Sequence, residues 1–141
     1  MSYTREIQIE FNHCDPAGIV FYPRYFEMTN SVVENFFNDV VGRSFASMHG
    51  IGSRGDAHNG VPTVSLAAEF VAPSRLGDKV LFSLKVEKLG RSSVSLKIEG
   101  HMGAELRLRV ALVLVWIDGM KSAAWPDAMR ARLHAYMEDA A

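Results

Sequence analysis

Cysteine occurs once in the 141 residues, at Cys14. A single thiol excludes an internal disulfide framework and a cysteine-built zinc site. No run of about 18 apolar residues occurs, so no transmembrane helix and no membrane partner are expected. Neither sign of charge dominates: 15 Lys and Arg stand against 16 Asp and Glu, for a net charge of −1. That balance excludes a strongly basic nucleic-acid binder. The histidines, His13, His49, His58, His101 and His134, show neither HxxxH nor HExxH spacing, and no GxSxG elbow is present. A metal site and a serine-nucleophile turn are therefore not expected. The opening residues carry Arg5, Glu6 and Glu10 where a signal peptide needs its apolar stretch, so a cytoplasmic, reducing setting is the expectation.

What is present is the composition of a globular protein, 48% hydrophobic and 22% charged. The length fits one domain, residues 1–141, with a substantial core. Charge is unevenly spread. In residues 1–40, Arg5 and Arg24 are outnumbered by Glu6, Glu10, Asp15, Glu27, Glu34 and Asp39. In residues 79–109, Lys79, Lys85, Lys88, Arg91, Lys97, Arg107 and Arg109 outnumber Glu87, Glu99 and Glu105. The second block reads either as solvated strand faces or as a rim for a small anionic ligand.

Hydrophobic period sets the expected elements. Tyr3, Arg5, Ile7, Ile9 and Phe11 alternate with polar residues, a strand with one buried face. Residues 12–23 hold two prolines and a glycine and end it. Pro23 suits the first position of a helix, and Phe26, Val33, Phe36, Phe37, Val40 and Val41 give residues 24–41 a wide apolar stripe before Gly42. Residues 43–60 read as a long loop with one helical turn near Ser44–His49. Strands are expected over 61–71, 79–89, from about Val94 to Ile98, and over 105–118. The last of these is apolar on both sides from Val110 to Ile117 and is expected to be covered on both faces. Pro126 opens a short helix whose Met129, Leu133, Tyr136 and Met137 point inward. The order gives an α+β fold, an antiparallel sheet packed on one long helix.

Two motifs mislead. Gly50-Ile-Gly52-Ser-Arg-Gly55 matches GxGxxG but follows no strand and reads as loop. His13-Cys14-Asp15 suggests a triad, but neighbours in extended chain point to opposite sides, and Cys14 reads as partly buried and unreactive. Asp15 stands out. It precedes Pro16 in a glycine-containing turn before the long helix, where a carboxylate can form the turn, face the helix N-terminus or do chemistry. Unpaired N–H groups at that helix start could stabilise an oxyanion, so the pair could serve acyl transfer.

The stretch Asp15-Pro-Ala-Gly18-Ile-Val-Phe-Tyr22-Pro23-Arg-Tyr25 resembles the signature of hotdog-fold acyl-CoA thioesterases of the 4-hydroxybenzoyl-CoA thioesterase family. Val61-Pro62 and Phe70-Val-Ala-Pro73-Ser-Arg75-Leu-Gly77-Asp78 resemble its second signature. The resemblance implies a five-stranded antiparallel sheet wrapped around the helix, a homodimer often paired into a tetramer, and an acyl-CoA substrate with no separate cofactor. It implies Asp15 as the catalytic carboxylate, Gly18 as the point of close approach, and the Tyr22 N–H as the oxyanion donor. Tyr25, Asn30, Pro62, Thr63, Val64 and Ser65 are the implied substrate contacts, some from the partner subunit, along with the 43–60 loop. Coenzyme A gives the basic block a ligand, with Lys88, Arg91 and Ser92 as phosphate candidates. Some related bacterial enzymes carry His where Tyr22 stands; Tyr-Pro resembles the aryl-CoA branch. Asn30 is an uncharged amide near where that branch can place an acid, which weakens the expectation of 4-hydroxybenzoyl specificity. The alternative is a non-catalytic acyl-CoA-binding module on the same fold. A hotdog dehydratase ranks lowest, since no His lies between Asp15 and the helix.

Overall fold

The structure is a computed structural model that describes residues 1–50 and 58–137. Most of the GxGxxG stretch and the middle of the 43–60 loop lie outside the described residues. In chain order the elements are β1 (Tyr3–Gln8), a 3₁₀ turn at Phe11–His13, α1 (Pro23–Phe36) continuing into a π-helical segment at Phe37–Val41, α2 (Phe45–Met48) and β2 (Asn59–Gly60). There follow β3 (Thr63–Phe70), β4 (Lys79–Leu89), β5 (Ser93–Met102), β6 (Glu105–Val115), β7 (Ile117–Asp118), β8 (Lys121–Ser122) and α3 (Asp127–Ala135). Five strands form one antiparallel sheet in the order β1-β4-β5-β6-β3, and β2-β7-β8 form a small second sheet. No helix among the described residues is long and apolar enough to cross a membrane.

The sheet wraps α1 because the period-2 and period-3.6 patterns meet on one face. Val80, Phe82, Leu84 and Val86 of β4, Val94, Leu96 and Ile98 of β5, and Leu108, Val110, Leu112 and Leu114 of β6 are buried. Against them lie Tyr25, Met28, Thr29, Val32, Val33 and Phe36 of α1. The helix closes where Gly42, at φ +89°, donates its N–H to Phe37 O at 2.8 Å, a left-handed cap that favours glycine. Met129 and Leu133 of α3 are buried, with Tyr136 and Met137 half-buried. Trp116 and Trp125 pack 5.7 Å apart at one end of this core.

Two expectations about faces are corrected. Within the single chain, β6 is not covered on both sides: Arg109 and Ala111 are exposed and Val113 and Val115 half-buried, so the strand alternates like its neighbours. Its outer apolar residues are small or β-branched, which suits a pleated strand without requiring a second layer. The first strand ends at Gln8, and Phe11 is 85% exposed because the chain has already turned into the 3₁₀ segment. Arg5, at the sheet margin, is exposed as well.

Gly100 shows how tight the inner face is. A Cβ there would lie 2.6 Å from Leu108 Cδ2, 3.1 Å from Val80 Cγ1 and 3.2 Å from Phe82 Cε1, all on buried side chains. Gly100→Ala is expected to destabilise by about 1–3 kcal/mol through overpacking, read as a lower urea midpoint; an unchanged midpoint would show that the face has slack.

Candidate active site

Asp15 sits in a turn whose shape follows from its own sequence. Pro16 fixes the second position, Gly18 N–H donates to Asp15 O at 2.9 Å, and Gly18 takes φ +81°, a left-handed conformation that glycine adopts without steric cost. Ala17 N–H donates to Asp15 Oδ1 at 2.9 Å, an Asx turn. Asp15 N–H donates to Ile19 O at 3.1 Å and Phe21 N–H to His13 O at 2.9 Å, closing a small antiparallel loop. The carboxylate is half-buried, and Oδ2 has no partner among the described residues. The triad-like neighbours are occupied elsewhere: His13 Nδ1 accepts Glu10 N–H at 2.8 Å, and half-buried Cys14 donates Sγ–H to Glu10 O at 3.6 Å.

The loop delivers the chain to the start of α1. Arg24 N–H donates to Phe21 O and Tyr25 N–H to Tyr22 O, while Pro23 has no N–H to give. The Tyr22 N–H has no partner among the described residues. It is one of the N–H groups that a helix N-terminus leaves without an intrahelical acceptor.

Asp15, Tyr22 and Tyr25 line one cavity of about 450 Å³, with Ile19, Val20, Phe21, Phe70, Val71, Ala72 and Pro73. Its wall is aromatic: Tyr25 stacks on Phe70 with centroids 5.7 Å apart, and Tyr22 lies 5.8 Å from the same ring. Asn30, Pro62 and Thr63 line a second cavity of about 270 Å³, between α1 and β3. Phe26 lines that cavity while its ring lies 6.2 Å from Phe70 of the first, so it forms part of the wall between them. Gly18 shapes the turn without lining either cavity, and Val64 and Ser65 are exposed on β3 beside a register shift.

Lys88, Arg91 and Ser92 are not brought to this place in the same chain. They lie at the far end of the 11-residue strand β4, roughly 33 Å along the sheet at about 3.3 Å per residue. Their hairpin backbone packs on the tryptophans: Ser92 O accepts Trp116 N–H at 2.7 Å and Arg91 O accepts Trp125 N–H at 3.0 Å.

A polar cluster under the Asp15 loop escaped the sequence reading. Arg107 Nη1 donates to Pro73 O (3.1 Å), Ser74 Oγ (3.1 Å) and Asp78 Oδ2 (2.8 Å), and its Nε lies 2.6 Å from Glu105 Oε1. The Arg107 guanidinium holds the Asp78 carboxyl below its ordinary range, helped by the Arg75 N–H at 3.0 Å. Burial raises the Tyr25 phenol above its usual value. The available signal was the Phe70–Asp78 motif, but Arg107 itself read as one charge in an alternating strand.

Residues 17–105 match the Thioesterase superfamily. The chain belongs to that superfamily. A 4-hydroxybenzoyl-CoA thioesterase from Pseudomonas sp. (strain CBS-3) is 30% identical over 101 residues, spanning 65% of this chain and 62% of that relative. Solved structures agree on architecture at lower identity. A 1,4-dihydroxy-2-naphthoyl-CoA thioesterase from Synechocystis is 21% identical with a TM-score of 0.83, covering 94% of this chain and 96% of its own. The Dynemicin thioesterase is 18% identical with a TM-score of 0.86, covering 99% and 100%. These likenesses make the α+β architecture the hotdog fold. The superfamily match begins at Ala17 inside the Asp15–Gly18 turn and takes in α1, β3, β4 and β5.

Proposed function

We propose that this superfamily member hydrolyses an aryl- or acyl-CoA thioester, with Asp15 as nucleophile or general base and the Tyr22 N–H as oxyanion donor. The observation that carries the reading is one aromatic-walled cavity lined by both half-buried Asp15 and Tyr22, the helix-start residue whose N–H has no partner among the described residues. In the reaction, Asp15 either attacks the thioester carbon, giving an acyl-aspartyl anhydride that water then cleaves to free acid and carboxylate, or takes a proton from the water that attacks that carbon. The carbonyl oxygen gains charge and moves toward Tyr22 N–H, and the CoA thiolate leaves. An oxyanion donor of this kind is worth about 3–4 kcal/mol. A thioester carbonyl is electrophilic enough for such a spare apparatus.

The reading includes a second copy of the chain. β3 is an edge strand with most of its residues exposed on both sides, including Val64 at 61% and Leu66 at 44%, which is the kind of edge that natural proteins cover. Pairing there would give a homodimer, and dimers would associate again. Phosphate contact from Lys88, Arg91 and Ser92 would then have to reach a neighbour's site, since these residues are at the wrong end of their own sheet. The exposed amide of Asn30, lining one cavity with Thr63, would offer neutral hydrogen bonding to the acyl group without the acid that would single out a phenolic hydroxyl.

A panel of benzoyl-, 4-hydroxybenzoyl-, acetyl- and hexanoyl-CoA, followed by release of free thiol, tests this directly. Turnover of at least one ester is expected, without preference for the phenol over benzoyl. Saturable binding of these esters with no thiol released would instead identify a non-catalytic binding module.

A further inference from the structure

The two groups assigned to the chemistry lie on one stretch of chain, and that stretch has little core of its own. Between residues 12 and 22 the buried side chain is Val20. The stretch is held instead by the turn at residues 73–78. Ile9 N–H donates to Asp78 O at 2.7 Å, Gly77 N–H to Ile9 O at 2.8 Å, and Val20 N–H to Ser74 O at 2.9 Å, while Ile19 bridges Arg75.

Ser74 is the joint. It is fully buried, at 0% exposure. Its carbonyl accepts the Val20 N–H of the Asp15 loop. Its hydroxyl accepts from Arg107. Beside it lies the buried phenol of Tyr25, which has no aligned hydrogen bond among the described residues and sits in the first turn of α1, three positions after Tyr22. The acid's loop is therefore bonded to this serine, and the first turn of α1 packs its phenol beside it. We propose that Ser74, clamped by the Arg107 guanidinium, is a positioning residue that fixes the separation between the Asp15 carboxylate and the Tyr22 N–H.

The choice of groups supports a positioning role over simple closure of the turn. A half-buried ion pair gains little stability over apolar packing, but a planar guanidinium holds its partners at fixed angles. Here Arg107 Nη1 shares its two hydrogens among Pro73 O, Ser74 Oγ and Asp78 Oδ2, while Nε on another edge of the same plane faces Glu105 Oε1 at 2.6 Å. Lysine would keep the charge, but its single nitrogen could not face the 73–78 turn and Glu105 from two edges of one plane. Small misplacements of reacting groups are expensive, up to about 10²-fold in rate for 1 Å.

The inference rests on the catalytic reading of Asp15, and the test separates the two. Ser74→Ala, Arg107→Lys, Asp15→Asn and the two doubles with Asp15→Asn are assayed on benzoyl-CoA and hexanoyl-CoA well below each variant's melting temperature. Ser74→Ala and Arg107→Lys are expected to lower kcat by about 10- to 100-fold with KM nearly unchanged. Neither should lower the residual rate of Asp15→Asn further, because the positioned group is already disabled. Wild-type kcat in both folded single variants, or losses that multiply fully with Asp15→Asn, overturns the positioning role and leaves Asp15 in place. Wild-type turnover by Asp15→Asn overturns the catalytic reading and the inference with it. If Arg107→Lys does not fold, the Ser74→Ala pair decides.

Discussion

Asp15→Asn is expected to lower kcat for CoA-thioester hydrolysis by at least about 10²-fold and to leave the loop standing. The substitution is unusually clean here. The structural duty of the side chain is to accept Ala17 N–H at 2.9 Å, and an asparagine carbonyl oxygen accepts the same bond. Pro16 and Gly18, which set the turn, are untouched. What the amide lacks is the charge, and with it both the nucleophile and the base. A melting temperature close to wild type with collapsed turnover is the expected pair of results. A collapsed melting temperature would mean that the carboxylate serves the fold, the role that turn-forming aspartates often have.

Phe36→Ala carries the largest expected cost in stability, about 3–5 kcal/mol. Phe36 is fully buried at the end of α1, with Tyr3 at 5.6 Å, Phe37 at 5.9 Å and Tyr136 at 5.4 Å between ring centroids. It thus joins the first strand, the long helix and the residue after α3. Truncation leaves a cavity that three separate elements would have to fill at once. Against a typical total of about 5–15 kcal/mol, that is a large share of the domain's stability. Urea unfolding followed by tryptophan fluorescence reads it, because Trp116 and Trp125 are buried in the same core. A loss under about 1 kcal/mol would show that α1 is not seated by this cluster. The helix also presents the Tyr22 N–H, so the substitution should reduce turnover on warming before it does so in the cold.

How much of this was legible depends on how local each feature is. The helix showed itself through the spacing of Phe26, Val33, Phe36 and Phe37, and β4 and β5 through alternation, because a period in sequence is a face in space. The Asp15 turn and the helix start lie within one short stretch, so their proximity could be read from the chain, and the structure places Asp15, Tyr22 and Tyr25 on one cavity. The open outer face of β6 was not legible, since Ala111, Val113 and Val115 are apolar whether or not a layer covers them. The continuation of α1 as a π-helical segment left no mark in the hydrophobic stripe. Lys88, Arg91 and Ser92 were phosphate candidates from charge and turn position, which carry no distance, and the full length of β4 separates them from Asp15 of the same chain. The Ser74–Arg107 clamp was the least legible of all. Its parts come from residues 73–78 and 105–107, and only the β-sheet order brings those stretches together.

The most direct measurement is a single turnover with enzyme in excess over benzoyl-CoA or hexanoyl-CoA, quenched and separated into intact thioester, free acid and free CoA. Wild type is expected to convert the bound ester to one acid and one CoA, and Asp15→Asn to bind the same ester and return it intact over the same interval. Intact thioester recovered from wild type, despite saturable binding, would contradict the hydrolytic reading.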